Sequence, residues 1–235
     1  MKKGLYANQI KYIVIIAMLV DHIAWLFIPF YSFAGQAMHF VGRLTGPTMA
    51  VLIAEGYRYT KDVNKYMIRL GVFALISWPC YCLMDYGRIT AEFGVIYTLF
   101  LSLLAIRVCD SDIHIVLKVL LTALLFWLSR WGDWAYFDIL FALTAHIWYD
   151  KKEIRWTVHT AICIVDVVIT AWLVNAYDHP VYYATCELGT LLVAPMFIFL
   201  YNGERGSKKP FHKWFFYVFY PLHMLVLWVI AYKLQ

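Results

Sequence analysis

The sequence predicts an all-α fold, a polytopic transmembrane helical bundle of about nine spans, and three observations carry that prediction. Apolar runs of near-span length follow one another with only short polar breaks between them. Hydrophobic residues make up 63% of the 235 and charged residues only 15%, where a soluble domain carries nearer a quarter. The basic residues fall in alternate breaks, as topology determinants do. No long polar segment could fold separately, so residues 1–235 read as a single transmembrane domain. The net charge of +5 is spent in loops, with no basic stripe that would suit a nucleic acid.

Taken in order, the first segment is Ile10–Pro29, preceded by two lysines. It is too long for a signal-peptide core and lacks a small-residue cleavage site, so it reads as an uncleaved span. The second runs over Ala37–Tyr57 and the third over Met67–Leu83, with Pro79 placed to kink its outer end. Phe93–Val108 and Ile113–Ser129 follow, separated by a tight Asp/Ser turn. Trp134–Tyr149, Trp156–Val174, Thr185–Tyr201 and Trp214–Lys233 complete the nine.

With that parity, one side receives Lys2, Lys3, Lys11, Arg58, Lys61, Lys65, Arg69, Arg107, Lys118, Lys151, Lys152, Arg155, Arg205, Lys208, Lys209 and Lys213. That is 16 of the 20 basic residues, so the N-terminus is expected in the cytoplasm and the C-terminus outside. The expected location is the bacterial cytoplasmic membrane, with the bilayer as constant partner. Tyr57, Trp131, Trp134, Tyr149, Trp156, Tyr177, Tyr182, Tyr201 and Trp214 stand near span ends as interfacial anchors. The five cysteines lie in or beside apolar runs without zinc-like spacing, and read as reduced small hydrophobes. The sequence has no Gly-rich phosphate loop, serine elbow or HExxH helix, and no metal is expected.

Against this apolar background the adjacent pair Asp21-His22, in the middle of the first segment, stands out. An ionisable residue at a helix centre costs about 2.5–3.5 kcal/mol to insert, so it calls for a partner or a task. Depth arithmetic at 1.5 Å per residue puts His22 about 18 Å and Arg43 about 21 Å above the cytoplasmic face, with His223, Asp166 and Ser77 near 15 Å. Several helices thus bring ionisable groups to one slab, and Arg43 is the expected partner of Asp21. Asp21 and His22 diverge by about 100° around the helix, so His22 can face a cavity while Asp21 is held elsewhere.

At the cytoplasmic end Glu55, Arg58 and Arg69 flank the second turn, with Glu55 and Arg58 spaced as an i,i+3 pair. They are candidates to receive an anionic cofactor, or they serve as topology charge. On the outer side Tyr97, Thr98, Asp133, Tyr136 and Tyr220 are candidates to hydrogen-bond a substrate. Asp133 is equally placed to cap the sixth span, and Tyr220-Pro221 suggests a kinked approach to His223.

The stretches IKYIVIIAMLVDHI (Ile10–Ile23), FVGRLTGPTMAVLIAEGYRYT (Phe40–Thr60), KYMIRLGVFALISWP (Lys65–Pro79), GVIYTLFLSLLA (Gly94–Ala105), GDWAYFDIL (Gly132–Leu140), YNGERG (Tyr201–Gly206) and FFYVFYPLHMLVL (Phe215–Leu227) resemble the TraX family, whose named member is a conjugative-pilin N-acetyltransferase. The sequence is also similar to membrane-embedded acyltransferases that place a histidine early in the first span. It departs from the family pattern at Thr45-Gly46-Pro47-Thr48 and at Asp138.

What the resemblance implies is transfer of an acetyl group from cytoplasmic acetyl-CoA to an amine or hydroxyl, on a protein such as a pilin N-terminus or on an envelope glycan. Asp21, His22, Arg43, Glu55, Arg58 and His223 fall within the matched stretches. On that reading His22 is a general base or a transient acyl carrier, Asp21 and Arg43 organise it, and His223 completes a relay. The alternative is a proton-coupled transporter or exporter using the same Asp-His-Arg cluster, although no inverted repeat accompanies it.

Overall fold

A computed structural model describes residues 4–175 and 178–233. Lys2, Lys3, Tyr177 and the side chain of Lys233, which entered the topology and anchor readings, lie outside what is described. The described residues form helices α1 (Ala7–Phe27), α2 (Phe33–Gly42), α3 (Thr45–Tyr59), α4 (Val63–Tyr86), α5 (Val95–Cys109), α6 (Ile115–Ser129), α7 (Phe137–Ile147) and α8 (Lys152–Val174). A helix broken in type follows: α9 (Pro180–Glu187), a 3-10 stretch (Leu188–Leu192), α10 (Val193–Pro195) and a π stretch (Met196–Leu200). The last helix is α11 (Pro210–Lys233). Two isolated β-bridges, Leu5 with Tyr201 and Phe93 with Gly132, are the extended pairings among the described residues.

Five of these, Ala7–Phe27, Val63–Tyr86, Lys152–Val174, Pro180–Leu200 and Pro210–Tyr232, are long and apolar enough to cross a membrane. Val95–Cys109, Ile115–Ser129 and Phe137–Ile147 are shorter apolar helices. This is a multi-pass membrane protein. Its outward-facing apolar side chains agree: Ile68, Leu75, Ile115, Val168, Trp172 and Phe199 are all exposed, as lipid-facing residues are.

The second predicted segment is not one helix. The chain breaks between Gly42 and Thr45, with Arg43 as the C-terminal cap residue of α2. A glycine at the end of a helix and Pro47 in the first turn of the next are the stop and start signals that separate them. The break falls just beyond Arg43, so the helical rise from Ala37 to Gly42 is itself uninterrupted. The predicted start of the last segment moves as well, from Trp214 back to Pro210, and both Pro79 and Pro221 lie inside continuous helices.

By compactness the chain divides into two units, Met1–Thr48 with Trp156–Phe216, and Met49–Arg155 with Tyr217–Gln235. In the first, the connection Asn202–Ser207 wraps the start of α1. Ala7 N–H donates to Glu204 O (2.9 Å), Asn8 N–H to Arg205 O (3.4 Å) and the Asn8 amide to Ser207 O (2.7 Å). The Glu204 and Arg205 carbonyls satisfy first-turn backbone N–H groups that have no intrahelical acceptor. At the other end of that unit Tyr31, after α1, donates to Asp178, after α8 (2.5 Å).

In the second unit Leu101, Ala105, Leu125 and Ile139 form a core where α5, α6 and α7 meet. At one end Phe93 N–H donates to Trp131 O (2.7 Å) and Asp133 N–H to Phe93 O (2.8 Å). At the other, Tyr59 contacts Tyr149 (3.3 Å) and His146 pairs with Asp110 (2.8 Å). Within each unit, connections that alternation assigns to one side of the membrane touch one another.

Candidate functional site

The densest buried polar cluster in the first unit gathers on α1, α2, α8 and α9. Ser32 starts α2: its hydroxyl donates to Pro29 O (2.7 Å) and accepts from Gly35 N–H (3.0 Å). That cap sets the phase of α2, so that His39 and Arg43, four residues apart, share a face. His39 is fully buried, and its Nδ1–H donates to Asp21 Oδ1 at 2.7 Å. Arg43 forms an ion pair with Glu187, Nε to Oε1 3.3 Å, with both side chains largely buried. The guanidinium also acts electrostatically on Asp21, His22 and Asp166. Asp166, on α8, is buried with Oδ2 lacking a hydrogen-bond partner among the described residues.

Two glycines make this packing possible. A Cβ on Gly42 would lie 2.3 Å from Asp21 Cβ, and one on Gly189 would lie 1.9 Å from the Phe40 carbonyl oxygen. Gly189 sits in the 3-10 stretch just beyond Glu187, where the helix changes type. Such departures from α geometry recur at functional sites because they re-aim side chains and free backbone groups.

The charge count is informative. Asp21, Asp166 and Glu187 are three carboxyl groups against the single guanidinium of Arg43, with the rings of His22 and His39 beside them. Full ionisation of all three acids would leave two negative charges uncompensated in a buried site, which is prohibitive. Protons on the rings or on the acids therefore complete the balance. A cluster that holds mobile protons next to a fixed cation has what general acid–base chemistry needs.

Asp21 and Arg43 are thus in one cluster, as expected, but the hydrogen bond of Asp21 goes to His39 and the ion pair of Arg43 goes to Glu187. His22 is half-buried in the same cluster. His223 belongs to the other unit. There its Nδ1 lies 2.9 Å from Phe219 O, its ring stacks on Phe219 (5.0 Å) and Tyr220 meets it edge-on (5.7 Å).

The remaining candidates lie in that second unit. Thr98 is fully buried and its hydroxyl sits between Val95 O (2.9 Å) and Asp138 Oδ2 (2.8 Å). Tyr97 donates to Leu128 O (3.1 Å), and Tyr220 Oη accepts from Val95 N–H (3.1 Å) while feeling the charges of Asp133, Asp85 and Asp138. Asp133 does not cap α7: its Oδ1 accepts from Trp134 N–H, and α7 begins only after Tyr136. Trp134 (φ 57°) and Tyr136 (φ 66°) hold left-handed backbone there, a conformation costing on the order of 1–3 kcal/mol for a bulky residue.

At the other end of that unit Glu55 does not pair with Arg58. Glu55 is buried against Arg155 (3.7 Å), because the helical phase turns it inward. Arg58 is exposed, lays its guanidinium on the Tyr149 ring (3.9 Å) and donates through Nη2 to His146 O (3.2 Å). Arg69 donates to Tyr217 Oη (3.3 Å) and lies near the Tyr66 ring.

The chain matches the family model described as TraX protein over residues 7–231. The chain belongs to the TraX family. It is similar to a probable fimbrial assembly protein, FimC of serogroup H1, from Dichelobacter nodosus, with 29% identity over 236 residues. The match covers 94% of this chain and 93% of that one. No solved structure matches it.

For this TraX-family chain, reading the sequence missed His39 and Glu187. His39 carried a usable signal: together with Arg43 it puts two polar residues at i,i+4 in an apolar segment. Glu187, the third residue of the eighth predicted segment, Thr185–Tyr201, was given no role there. Among the described residues no group of three or more His, Cys, Asp or Glu is arranged to hold a metal ion.

Proposed function

We propose that this chain is an integral-membrane acyltransferase that moves an acetyl group from cytoplasmic acetyl-CoA to an amine or hydroxyl acceptor. The acceptor is a pilin subunit or an envelope glycan in the bacterial cytoplasmic membrane. The observation that carries this reading is the buried convergence of Asp21, His22, His39, Arg43, Asp166 and Glu187, two ring bases held among three acids and a cation. Acyl transfer to an amine needs a group to take the acceptor's proton and positive charge near the developing oxyanion. The histidines suit the first task and Arg43 the second. Family membership and the fimbrial-assembly name of the relative support an acceptor in pilus biogenesis.

The nine-span alternation is supported by the connections that meet within each unit, and the cytoplasmic N-terminus by the basic residues of alternate breaks. Arg58, exposed and braced against Tyr149, offers a guanidinium edge to an anionic group. Arg69 stands on the same side as added positive charge, and Glu55 fixes Arg155. Asp133 and Tyr136 supply hydrogen-bonding groups on the outer side, where Thr98, Tyr220 and Tyr97 serve through their internal hydrogen bonds.

The test uses the full chain in lipid nanodiscs with radiolabelled acetyl-CoA and a peptide bearing a free N-terminal amine. Labelled peptide should accumulate with the wild type and fall to background in the His22→Ala/His39→Ala double variant. Wild-type rates in that variant would overturn the reading. Uptake of a solute driven by an imposed proton gradient, without acetyl-CoA, would favour transport instead.

A further inference from the structure

Four features of His39 bear on which ring takes the acceptor's proton. The ring is completely buried. Its Nδ1–H is committed to the Asp21 carboxyl group, which leaves the lone pair on Nε2. That Nε2 is buried and has no hydrogen-bond partner among the described residues. Finally, the ring is flanked by aromatic side chains, Trp25 at 4.5 Å and Phe30 at 5.2 Å between centroids, and these two stack on each other at 5.4 Å. A buried polar atom without a partner is costly, so a hydrogen-bonding ligand at Nε2 would be favoured.

The His39 ring lies close beneath a rim of partly exposed aromatic side chains. Trp25 is one helical turn beyond Asp21 on α1, and it is 46% exposed. Phe30 lies in the connection to α2, its carbonyl held by the Gln36 amide (2.9 Å) and its ring against Tyr183 (4.6 Å). Tyr31 and Tyr183 both donate to Asp178 (2.5 and 2.9 Å). A chain of packed aromatic rings therefore links the exposed rim at Tyr31 to the ring of His39, which the stacked pair Trp25–Phe30 covers.

We propose that His39 Nε2, with Asp21 as its positioning residue, is the base that receives the acceptor's proton, and that the acceptor amine or hydroxyl reaches it beneath Trp25 and Phe30. This rests on the acyl-transfer reading above. Asp21 fixes the tautomer so that Nε2 presents its lone pair, the same logic as the carboxylate of a hydrolytic triad. As the acceptor atom forms its bond to the thioester carbonyl carbon, Nε2 takes the proton that atom sheds. The C–S bond breaks as the tetrahedral centre collapses, the proton passes to the departing thiolate, and the ring ends neutral. His22, diverging by about 100° from Asp21 on α1, is left to line the side nearer Arg43.

The test compares two acceptors in the full chain in nanodiscs. One is the N-terminal amine of a peptide, largely protonated at neutral pH and dependent on a base. The other is hydroxylamine, which attacks a thioester without one. His39→Gln and Asp21→Asn should each lower transfer to the peptide by about 10²–10⁴-fold, the usual contribution of a general base. Acetyl hydroxamate formation should stay within about tenfold of the wild type, which also reports that the variants fold. Equal losses on both acceptors, or peptide transfer unchanged in His39→Gln, would overturn the assignment. A wild-type protein that makes neither product would instead sink the acyl-transfer reading and this assignment with it.

Discussion

The carboxyl-bearing side chain of Asp21 lies directly against the bare Cα of Gly42, with room for no further carbon between them. That contact lets α1 and α2 approach closely enough for Asp21 to reach His39, which lies one turn before Gly42. Gly42→Ala should therefore act through the Asp21–His39 bond rather than through α2 itself. An overpacking cost of about 1–3 kcal/mol should lower the thermal midpoint, and acetyl transfer to a peptide amine should fall more steeply than stability. Differential scanning fluorimetry read beside the transfer assay separates the two effects.

Glu55 and Arg155 form a buried pair whose side chains are 6% and 7% exposed. Removing one partner strands the other charge, so Glu55→Ala should destabilise the fold by about 3–5 kcal/mol. Glu55→Leu combined with Arg155→Met should recover most of that loss, because a well-packed apolar pair of similar volume is often no less stable. If the single and double variants unfold alike in denaturant titration, the pair is not the source of the effect.

The latch at the aromatic rim predicts a pH response. The phenol of Tyr31, followed by the His179 N–H and the phenol of Tyr183, holds the Asp178 carboxyl below its usual range. A depressed folded-state value means that the stabilisation is present above about pH 3.8 and is lost as pH falls through the folded value. Tyr31 is raised by the same hydrogen bond, so its contribution is full below about pH 10 and disappears as pH climbs past the shifted value. Tyrosine fluorescence of a variant retaining Tyr31 should change at both limits, and Asp178→Asn should abolish the acid-side change. An acid transition that survives in Asp178→Asn would assign it elsewhere.

Membrane sidedness can be read by labelling. Cys80, Cys82, Cys163 and Cys186 are buried, and only Cys109 is partly accessible. In a Cys109→Ser background, Ala34→Cys should react with an impermeant maleimide added outside spheroplasts, and Lys152→Cys only after lysis. Both positions are exposed. Labelling of both from the same side would break the nine-span alternation.

How much of this was readable in the sequence divides along physical lines. The helices were, because apolar runs bounded by charges leave few other solutions in lipid. Asp21 and Arg43 were recognisable as cluster members, since each is an ionisable group inside an apolar run. Their partners were not, because a pairing depends on helix phase, and the phase of α2 is set by the Ser32 cap and by the break after Gly42. The Gly42 and Pro47 punctuation was present and went unused. Glu55 was misread for the opposite reason: i,i+3 spacing permits a pair with Arg58, but burial drew the carboxylate inward to Arg155. Nothing local in the sequence announces the switch from α to 3-10 winding at Glu187.

The two partnerships in the buried cluster also differ in when they can form. Asp21 and His39 are 18 residues apart, so at about 5–20 residues per second a ribosome delivers the second about 1–4 s after the first. Arg43 waits for Glu187, roughly 145 residues and about 7–30 s later. The first helical hairpin can thus match its acid to a ring well before the acid that pairs with its arginine has been made. The Arg43–Glu187 ion pair is therefore a late step of assembly, formed only once the broken helix has joined the first hairpin.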